Sequence, residues 1–338
     1  MLLGVSLGSL LWAAPAAHAQ TAASELPPPS PVQRCVNLGN TLEAPNEGEW
    51  GLTAEQSYFE AMAAAGFDTV RLPVRWSAHA SADAPFTIST RFFDRVDTVV
   101  GWALDSGLQV ILNIHHYEEM AVDPEGNQAR LLAIWDQIAA HYADYPAALL
   151  FEAMNEPNSA LTAPIWNPMQ AEVVATIRRT NPTRTIVVGG VSWNSIDGLF
   201  GLQLPADDHL LATVHFYDPF QFTHQGAEWA DNMDQYLGTE WGSAPEQAAM
   251  LQRLTRAANW GRDHNIPVLM GEFGAYSRAP QESRIRWTSA ARADAESLGL
   301  GWCYWEFAAG FGIYNGRTAQ YNDLLPALLP ESPLLTAG

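Results

Sequence analysis

A chain of 338 residues, 48% of them hydrophobic, is long enough for one large α/β domain or two ordinary domains. The 37 acidic residues outnumber 17 basic ones and give a formal net charge of −20. This charge argues against binding to nucleic acid or to an anionic membrane surface, because both would repel the protein. It is compatible with a neutral or cationic substrate.

The N-terminal segment has the features of a secretory signal. Residues 2–19 contain no charged side chain and end in Ala17-His18-Ala19, so we predict a signal peptide over residues 1–19, although the basic segment that usually precedes the apolar run is missing. A membrane anchor is less favoured, since the apolar run of residues 2–12 is too short to span a bilayer. The mature protein is therefore expected to be secreted or periplasmic and to have no membrane contact.

The proline-rich residues 20–31 predict an extended spacer, and residues 32–332 a single folded domain. Cys35 and Cys303 both fall in predicted core strands. Export implies an oxidising compartment, which permits a disulfide. We nevertheless predict two buried thiols, with a disulfide as the alternative.

From residue 32 onward, short apolar runs alternate with amphipathic stretches. A strand at 32–38 precedes a helix at 53–65, for which Thr53 and Gln56 form a predicted capping box and Gly66 a C-cap. Further strands are predicted at 68–72, 108–114, from 148, at 185–190, 211–216, from 267 and at 300–305. Helices are predicted from about 90, around 131–142, at 169–180, from about 245 and at 281–298.

Eight strands that mostly alternate with helices in one domain predict an α/β fold of the (β/α)8 or TIM barrel class. A doubly wound open sheet is the alternative, and the lack of a glycine-rich phosphate turn after the first strand weakens it. Polar residues follow every predicted strand, and a barrel would bring these strand ends together on one face. They are Asn37, Asn40, Arg71, His115, His116, Asn155, Glu156, Trp193, His215, Tyr217, Glu272, Trp305 and Glu306.

Two of these strand ends carry a single glutamate after an apolar run, Glu156 and Glu272. Taken alone, Glu156 could also belong to a solvated Asn-Glu-Pro turn. A carboxylate at the exit of a buried strand is costly to desolvate unless it is needed there. Two such carboxylates are what a glycosidase needs, one as acid/base and one as nucleophile.

Seven motifs at these positions resemble glycoside hydrolase family 5, the cellulase and endoglucanase family. The resemblance covers residues 32–329 and implies a retaining (β/α)8 endo-glycanase with catalytic glutamates after strands 4 and 7. The motifs are Asn37-Leu-Gly-Asn40, Val70-Arg71, Asn113-Ile-His-His116, Asn155-Glu-Pro157, Val214-His-Phe-Tyr217, Gly271-Glu-Phe-Gly274 and Trp302-Cys-Tyr-Trp305.

The resemblance assigns Glu156 as the acid/base and Glu272 as the nucleophile. A retaining mechanism needs one carboxyl protonated and one ionised. Arg71 is the candidate that keeps Glu272 ionised, although it could also form a purely structural salt bridge. Tyr217 is suited to hold the same carboxylate. Asn155 should bind the 2-hydroxyl of the sugar.

The histidine pair His115 and His116 could suggest a metal site. Adjacent strand residues point to opposite sides, and no metal-ligand spacing is present, so we expect neither a metal nor a cofactor. Both histidines are predicted to hydrogen-bond to the sugar or to its neighbours. His215 is a site residue by resemblance, with a core position as the alternative.

Aromatic residues mark the predicted substrate cleft. The connection 217–245 is long and carries five aromatic side chains, so it predicts a wall of the cleft: Phe220, Phe222, His224, Trp229 and Trp241. Trp305 is the candidate platform for the sugar at the cleavage point. Trp50, Trp193 and Trp229 are candidates for more distant subsites, with packing as the alternative. Asn40 and Glu43 could bind sugar hydroxyls.

The sequence predicts a secreted, monomeric endo-β-1,4-glucanase that acts on β-glucan polysaccharide or oligosaccharide. The alternative is a β-mannanase or a dual glucanase/mannanase. A more remote alternative is a non-catalytic sugar-binding barrel, which would have no reason to keep both glutamates and Arg71.

Overall fold

The computed structural model describes residues 26–336, so the predicted signal peptide and residues 20–25 of the predicted spacer lie outside the described part of the chain. Eight parallel strands form a closed barrel in chain order, and β8 pairs with β1. This closure confirms the (β/α)8 prediction and excludes the open sheet. The strands are β1 Arg34–Asn37, β2 Thr69–Leu72, β3 Gln109–Asn113, β4 Leu149–Glu152, β5 Ile186–Gly189, β6 Leu210–Phe216, β7 Val268–Phe273 and β8 Gly301–Tyr304.

The barrel is surrounded by helices that pack their apolar faces on it. The long ones are α1 Gln56–Ala65, α2 Thr90–Asp105, α4 Pro124–His141, α5 Ala163–Arg178, α9 Ala244–His264 and α10 Gln281–Ser297. The short ones are α3 Glu118–Val122, α6 Val191–Asn194, α7 Ile196–Leu199, α8 Phe220–Thr223, α11 Leu325–Leu328 and α12 Pro333–Thr336, with 3-10 turns at Trp76–His79 and Met233–Tyr236. A two-stranded hairpin joins Tyr314–Asn315 to Gln320–Tyr321.

Side chains inside the barrel lie in layers, because alternate residues of each strand point inward. One layer is apolar and consists of Val32, Cys35, Ile111, Leu150, Val187, Leu211, Leu269 and Cys303. Two residues further along the strands, the inward positions become polar, as at Asn37, Arg71 and Glu152. The apolar layer therefore closes the barrel below a polar layer at its C-terminal end.

The prediction of two buried thiols is wrong, because Cys35 and Cys303 form a disulfide. The two residues are direct partners in the register between β1 and β8. Closure of the barrel brings the first and last strands together, and both cysteines face the interior at the same level. The sequence of either strand alone does not predict this disulfide.

Two smaller expectations also need correction. Helix α1 begins at Gln56, and the residue before it, Glu55, makes no capping bond through its side chain, so the capping box from Thr53 is wrong. The second half of the predicted spacer is packed rather than free. Pro27 and Ser30 are buried, and Pro27 lies beside Gly261.

Residues packed on the barrel thus begin at least at Pro27 and continue to Ser332, just before α12, where the Ser332 hydroxyl donates to the carbonyl of Ala65. Within residues 26–336, no helix is both long enough and apolar enough to cross a membrane.

The disulfide is expected to stabilise the barrel measurably. It joins residues 268 apart in sequence, and cross-links that close long loops restrict the unfolded chain most. Replacing both cysteines by alanine should lower the free energy of unfolding by about 2–4 kcal/mol in a urea titration. Exported protein, denatured without reductant, should show no free thiol. Two titratable thiols would contradict the assignment.

Candidate active site

The polar layer of the barrel is organised by Arg71, which points inward from β2 and is 1% exposed. Its Nε and Nη2 donate to the two oxygens of Glu152 at 2.6 and 2.7 Å. Its Nη1 donates to Asn37 Oδ1 at 2.8 Å and to Glu272 Oε1 at 2.7 Å, and Nη2 also donates to Asn155 Oδ1 at 2.7 Å. An arginine has five N–H groups, so every donor of Arg71 is used.

Glu152 is a site residue that the sequence analysis missed. It lies at the end of β4, is 1% exposed, and forms a two-bond ion pair with Arg71. In the sequence it appears as one charged residue within the otherwise apolar run of residues 148–154. That single charge was the available signal, because a buried strand tolerates a carboxylate only if a cation faces it.

Glu272 lies on β7 and is held from two sides. Arg71 donates to Oε1, and the hydroxyl of Tyr217 donates to Oε2 at 2.9 Å. Burial raises the pKa of this carboxyl, while the positive charge of Arg71 and the Tyr217 hydrogen bond work in the opposite direction. The structure therefore places Arg71 and Tyr217 where the sequence predicted them, on the proposed nucleophile.

Glu156 follows β4 and has a different environment. Its Oε1 lies 2.8 Å from Nδ1 of His215, and its side chain is partly exposed. Burial raises the pKa of Glu156 to about 7, with the charge of Arg71 acting against it and that of Glu152 adding to it. A carboxyl with this pKa is protonated in a substantial fraction of molecules at neutral pH, as an acid catalyst requires.

His215 connects the two glutamates. Its Nδ1 also lies 3.5 Å from Oε2 of Glu272, and this nitrogen and one oxygen of each glutamate all lie within 4.8 Å of one another. Burial lowers the pKa of His215 to about 4, so the ring is neutral at neutral pH. One oxygen of each carboxyl group thus lies within 4.8 Å of the other, which is in keeping with the roughly 5 Å separation in retaining glycosidases.

Trp305 lies directly after β8 and is partly exposed. Its ring is parallel to the ring of His115, with ring centroids 5.5 Å apart and an angle of 10°. His115 is buried, and its Nδ1 is bonded to the side chain of Asn113 at 3.1 Å. A Cβ at Gly39 would lie 3.0 Å from the indole, so only glycine leaves room there. His115 thus supports the indole from one side.

The loop after β1 borders the same end of the barrel. Trp50 is 40% exposed and meets His116 edge-on at 5.5 Å. Asn40 is partly exposed, as the predicted sugar contact requires. Glu43 differs from the expectation, because it is 1% exposed and both its oxygens accept backbone N–H groups, from Asn40 and Thr41. Its role is to shape the loop that carries Asn40.

Only part of the connection after β6 forms the predicted wall of the cleft. Phe222 and Trp241 are buried in the core, whereas Phe220 and Trp229 are exposed. A cavity of about 630 Å³ adjoins Glu156 and is lined by the predicted residues Trp193, His215, Tyr217, His224 and Trp229. The Trp193 and Trp229 positions therefore face this cavity and not the core.

Among residues 26–336, one group of three histidine or acidic side chains has atoms close enough to share a metal ion, namely Glu156, His215 and Glu272. A cation bound there would lie beside the guanidinium of Arg71, which already donates to Glu272 and would repel it. These contacts fit a pair of organic catalysts better than a set of metal ligands. The expected absence of a metal stays a prediction.

Mutation can test whether Glu152 stabilises the protein by neutralising the buried charge of Arg71. Glu152→Gln keeps the shape but removes the charge and turns an amide donor toward a guanidinium, so we expect the free energy of unfolding to fall by about 3 kcal/mol. The matched control is Asp136→Asn, which breaks the exposed ion pair with Arg179 and should change stability by less than about 1 kcal/mol. Equal losses in a urea titration would contradict the role.

The chain is similar to known proteins of one family. Residues 36–310 match the family model described as cellulase (glycosyl hydrolase family 5). Endoglucanase H of Acetivibrio thermocellus is 38% identical over 286 residues, which are 85% of this chain but 30% of that protein. Cellulase/esterase CelE of the same organism is 30% identical over 310 residues, 86% of this chain and 36% of that protein. The chain thus spans about a third of the length of these two relatives.

Two solved structures match over nearly their whole length. Cel5A of Thermotoga maritima, crystallised with mannotriose, is 44% identical, with a TM-score of 0.87 over 88% of this chain and 97% of that one. The same enzyme crystallised with cellobiose also has a TM-score of 0.87 at 44% identity, with the same coverage of both chains. The family match covers far more than half of the chain and includes both glutamates, so the chain belongs to glycosyl hydrolase family 5, the cellulase family.

Proposed function

We propose that the protein is an endo-β-1,4-glucanase that hydrolyses internal bonds of β-glucan with retention of anomeric configuration. The observation that carries this proposal is the pair Glu156 and Glu272. Their carboxyl groups lie close enough for a retaining mechanism but sit in unequal surroundings. Glu272 accepts from a buried cation and a phenol, whereas Glu156 contacts one imidazole and is partly exposed.

In the first step, Glu272 attacks the anomeric carbon while the protonated Glu156 donates its proton to the departing glycosidic oxygen. This forms a glycosyl ester on Glu272 and releases the leaving sugar. Arg71 and Tyr217 orient the attacking carboxylate through its two oxygens. Asn155 accepts a hydrogen bond from Arg71 and lies beside the acid in the chain, and we expect it to bind the sugar 2-hydroxyl.

In the second step, the ionised Glu156 removes a proton from water, which attacks the same carbon and frees Glu272. His215 contacts both carboxyl groups and is neutral at neutral pH. It can therefore stay hydrogen-bonded to Glu156 when that carboxyl is protonated and when it is ionised, without adding a charge of its own. Trp305 offers its exposed face to the sugar ring whose bond is cut.

β-Glucan is the substrate favoured by the relatives, which are named endoglucanases and cellulases. A dual glucanase/mannanase is the second candidate, because Cel5A of Thermotoga maritima was crystallised with mannotriose as well as with cellobiose. Initial rates on carboxymethyl-cellulose, lichenan, glucomannan, mannan and xylan separate the two. Comparable rates on mannan and on glucan would favour the dual enzyme.

We also propose that the protein acts outside the cytoplasm. The signal-like residues 1–19 support this location, and so does the disulfide, because disulfides persist in oxidising compartments. Recovery of the mature chain, starting at Gln20, from the culture medium or periplasm is the test.

The two glutamates should give opposite stereochemistry when rescued. Glu272→Ala cannot form the glycosyl ester, so aryl cellobiosides with good leaving groups should stay uncleaved until azide is added. Azide then occupies the vacated space and should yield the α-glycosyl azide, with inverted configuration. Glu156→Ala should still release an acidic phenol in a burst, because little protonation is needed, and azide should then give the β-glycosyl azide. NMR of the azide products distinguishes these results.

Swapped azide configurations would mean that the two glutamates exchange roles. Substantial activity of both variants on unactivated glucan would contradict the hydrolase mechanism itself. Asp136→Asn serves as the control for handling and folding, since its ion pair with Arg179 is on the surface.

The pH profile should report the pKa of Glu156. Because the acid must be protonated, kcat/KM on cello-oligosaccharides should fall as pH rises through about 7. An aryl cellobioside with a strongly acidic phenol needs no such proton in its first step. Its kcat/KM should therefore lack this alkaline decline in the same pH range. An identical decline for both substrates would assign the titration to another group.

A further inference from the structure

The connection after β6 contains a buried hydroxyl group that the catalytic mechanism does not use. Thr223 is the last residue of α8 and is fully buried. Burying a hydroxyl group is costly unless it forms hydrogen bonds, so its partners indicate what it holds in place. The close partners are the backbone carbonyl of Tyr217 and the ring of His224.

The single proton of this hydroxyl decides the direction of its bonds. Thr223 Oγ1 lies 2.7 Å from the carbonyl oxygen of Tyr217 and 3.4 Å from that of Phe220, so the proton is donated to Tyr217. Burial lowers the pKa of His224 to about 4, so its ring is neutral and has one N–H group. Because Oγ1 has no second proton to give, His224 Nδ1 donates to it, at 3.0 Å.

The first of these bonds fixes the backbone of Tyr217. On its N-terminal side, Tyr217 follows directly from Phe216, the last residue of β6. On its C-terminal side, the chain continues into residues 218–220, which are exposed. Thr223 closes this exposed turn by bonding back to the carbonyl of Tyr217. Both ends of Tyr217 are therefore fixed, and with them the direction in which its side chain leaves the backbone.

The second bond fixes a ring that packs against Tyr217. The ring of His224 meets the ring of Tyr217 edge-on, with centroids 4.9 Å apart and an angle of 74°. Phe220 stacks on His224 at 4.0 Å, and Phe311 lies 6.3 Å from the ring of Tyr217. The His224 ring cannot turn without losing its bond to Thr223, so the phenol ring of Tyr217 is confined as well.

Thr223 also joins this connection to the strand that carries the nucleophile. Its carbonyl accepts the N–H of Tyr276 at 2.7 Å, and Tyr276 follows β7, which includes Glu272. The phenol of Tyr217 donates to Oε2 of Glu272 at 2.9 Å. The donor and the acceptor of that bond are thus held in one frame through Thr223.

We propose that Thr223 is a positioning residue for the first chemical step, because its hydroxyl keeps the phenol of Tyr217 on the nucleophile Glu272. The inference rests on the proposed function, in which Glu272 attacks the anomeric carbon. Thr223 acts through Tyr217 and does not itself meet the substrate.

This role has a consequence for the ionisation of Glu272. Burial raises the pKa of Glu272, and the hydrogen bond from Tyr217 is among the contacts that oppose this rise. Without the Thr223 hydroxyl, that bond should weaken, and Glu272 should lose its proton only at a higher pH. The other titratable groups that face Glu272 are His215 from β6, Arg71 from β2 and Glu156 after β4. A substitution at Thr223 changes none of them.

The test follows the formation of the glycosyl ester alone. Covalent labelling by 2,4-dinitrophenyl 2-deoxy-2-fluoro-β-cellobioside is measured against pH as a first-order rate constant, which does not depend on how much of each variant is folded. Dinitrophenol leaves without a proton from Glu156, so the acid side of the profile reports Glu272. Thr223→Val should slow labelling roughly tenfold. It should also move the acid side upward by roughly half a pH unit.

Three further variants separate positioning from general packing. Thr223→Ser keeps the hydroxyl and should restore most of the rate. In a Tyr217→Phe protein, which lacks the phenol, adding Thr223→Val should change the rate less than about twofold. The matched control is Thr239→Val, which removes a hydroxyl that donates to the carbonyl three residues earlier in the same connection. This control should behave as the wild type.

A wild-type pH profile for Thr223→Val would overturn the proposal. So would an equal loss of rate in the Tyr217→Phe protein, or a Thr223→Ser variant as slow as Thr223→Val, because the hydroxyl would then not act through the phenol. These results leave the proposed function intact as long as the wild type is labelled on Glu272. A wild type that is not labelled would contradict the proposed function itself.

Discussion

One buried guanidinium sets the arrangement of the active site. Arg71 lies inside the barrel with all five donors bonded, and removing a cation from water is tolerated only when anions and good hydrogen bonds surround it. Glu152 meets it with two bonds, and Glu272 with one. Because Glu152 neutralises most of the positive charge of Arg71, Glu272 binds Arg71 through one oxygen only. Its second oxygen accepts from Tyr217, and its accessible side is left for the substrate.

The same ion pair explains why the two catalytic candidates differ. Arg71 contacts Glu272 directly but bonds to the neighbour of Glu156, Asn155, and not to Glu156 itself. Burial raises the pKa of Glu156 to about 7, and Arg71 opposes this rise only through its charge, without a hydrogen bond to Glu156. The two carboxyl groups therefore differ in their hydrogen bonds to the guanidinium, and the positions of the strands decide which side chains the guanidinium reaches.

Much of this site was predictable because strand ends in a parallel barrel converge on one face. Arg71, Glu156, His215, Tyr217 and Glu272 each follow or end an apolar run, and the structure brings them together. The barrel itself was predictable for the same reason, from eight runs with helical stretches between most of them. Local pattern and topology were sufficient for these residues.

Other features depend on contacts that no local pattern encodes. In the sequence, Glu152 lies within an otherwise apolar strand, and only the structure shows that Arg71 faces it. The Cys35–Cys303 disulfide depends on the pairing of the first strand with the last. Glu43 has the chemistry of a sugar ligand, yet its carboxylate turns to the backbone of its own loop, and Thr53 fails as a cap because α1 begins later than the sequence indicates.

The central claim is that Glu272, held by Arg71 and Tyr217, forms a covalent bond to the sugar. The most direct measurement is mass spectrometry of the protein after treatment with 2,4-dinitrophenyl 2-deoxy-2-fluoro-β-cellobioside, a donor whose glycosyl ester is slow to hydrolyse. Peptide mapping should find one added fluorocellobiosyl group on Glu272. A label on Glu152 or Glu156, or inactivation without any covalent adduct, would contradict the account.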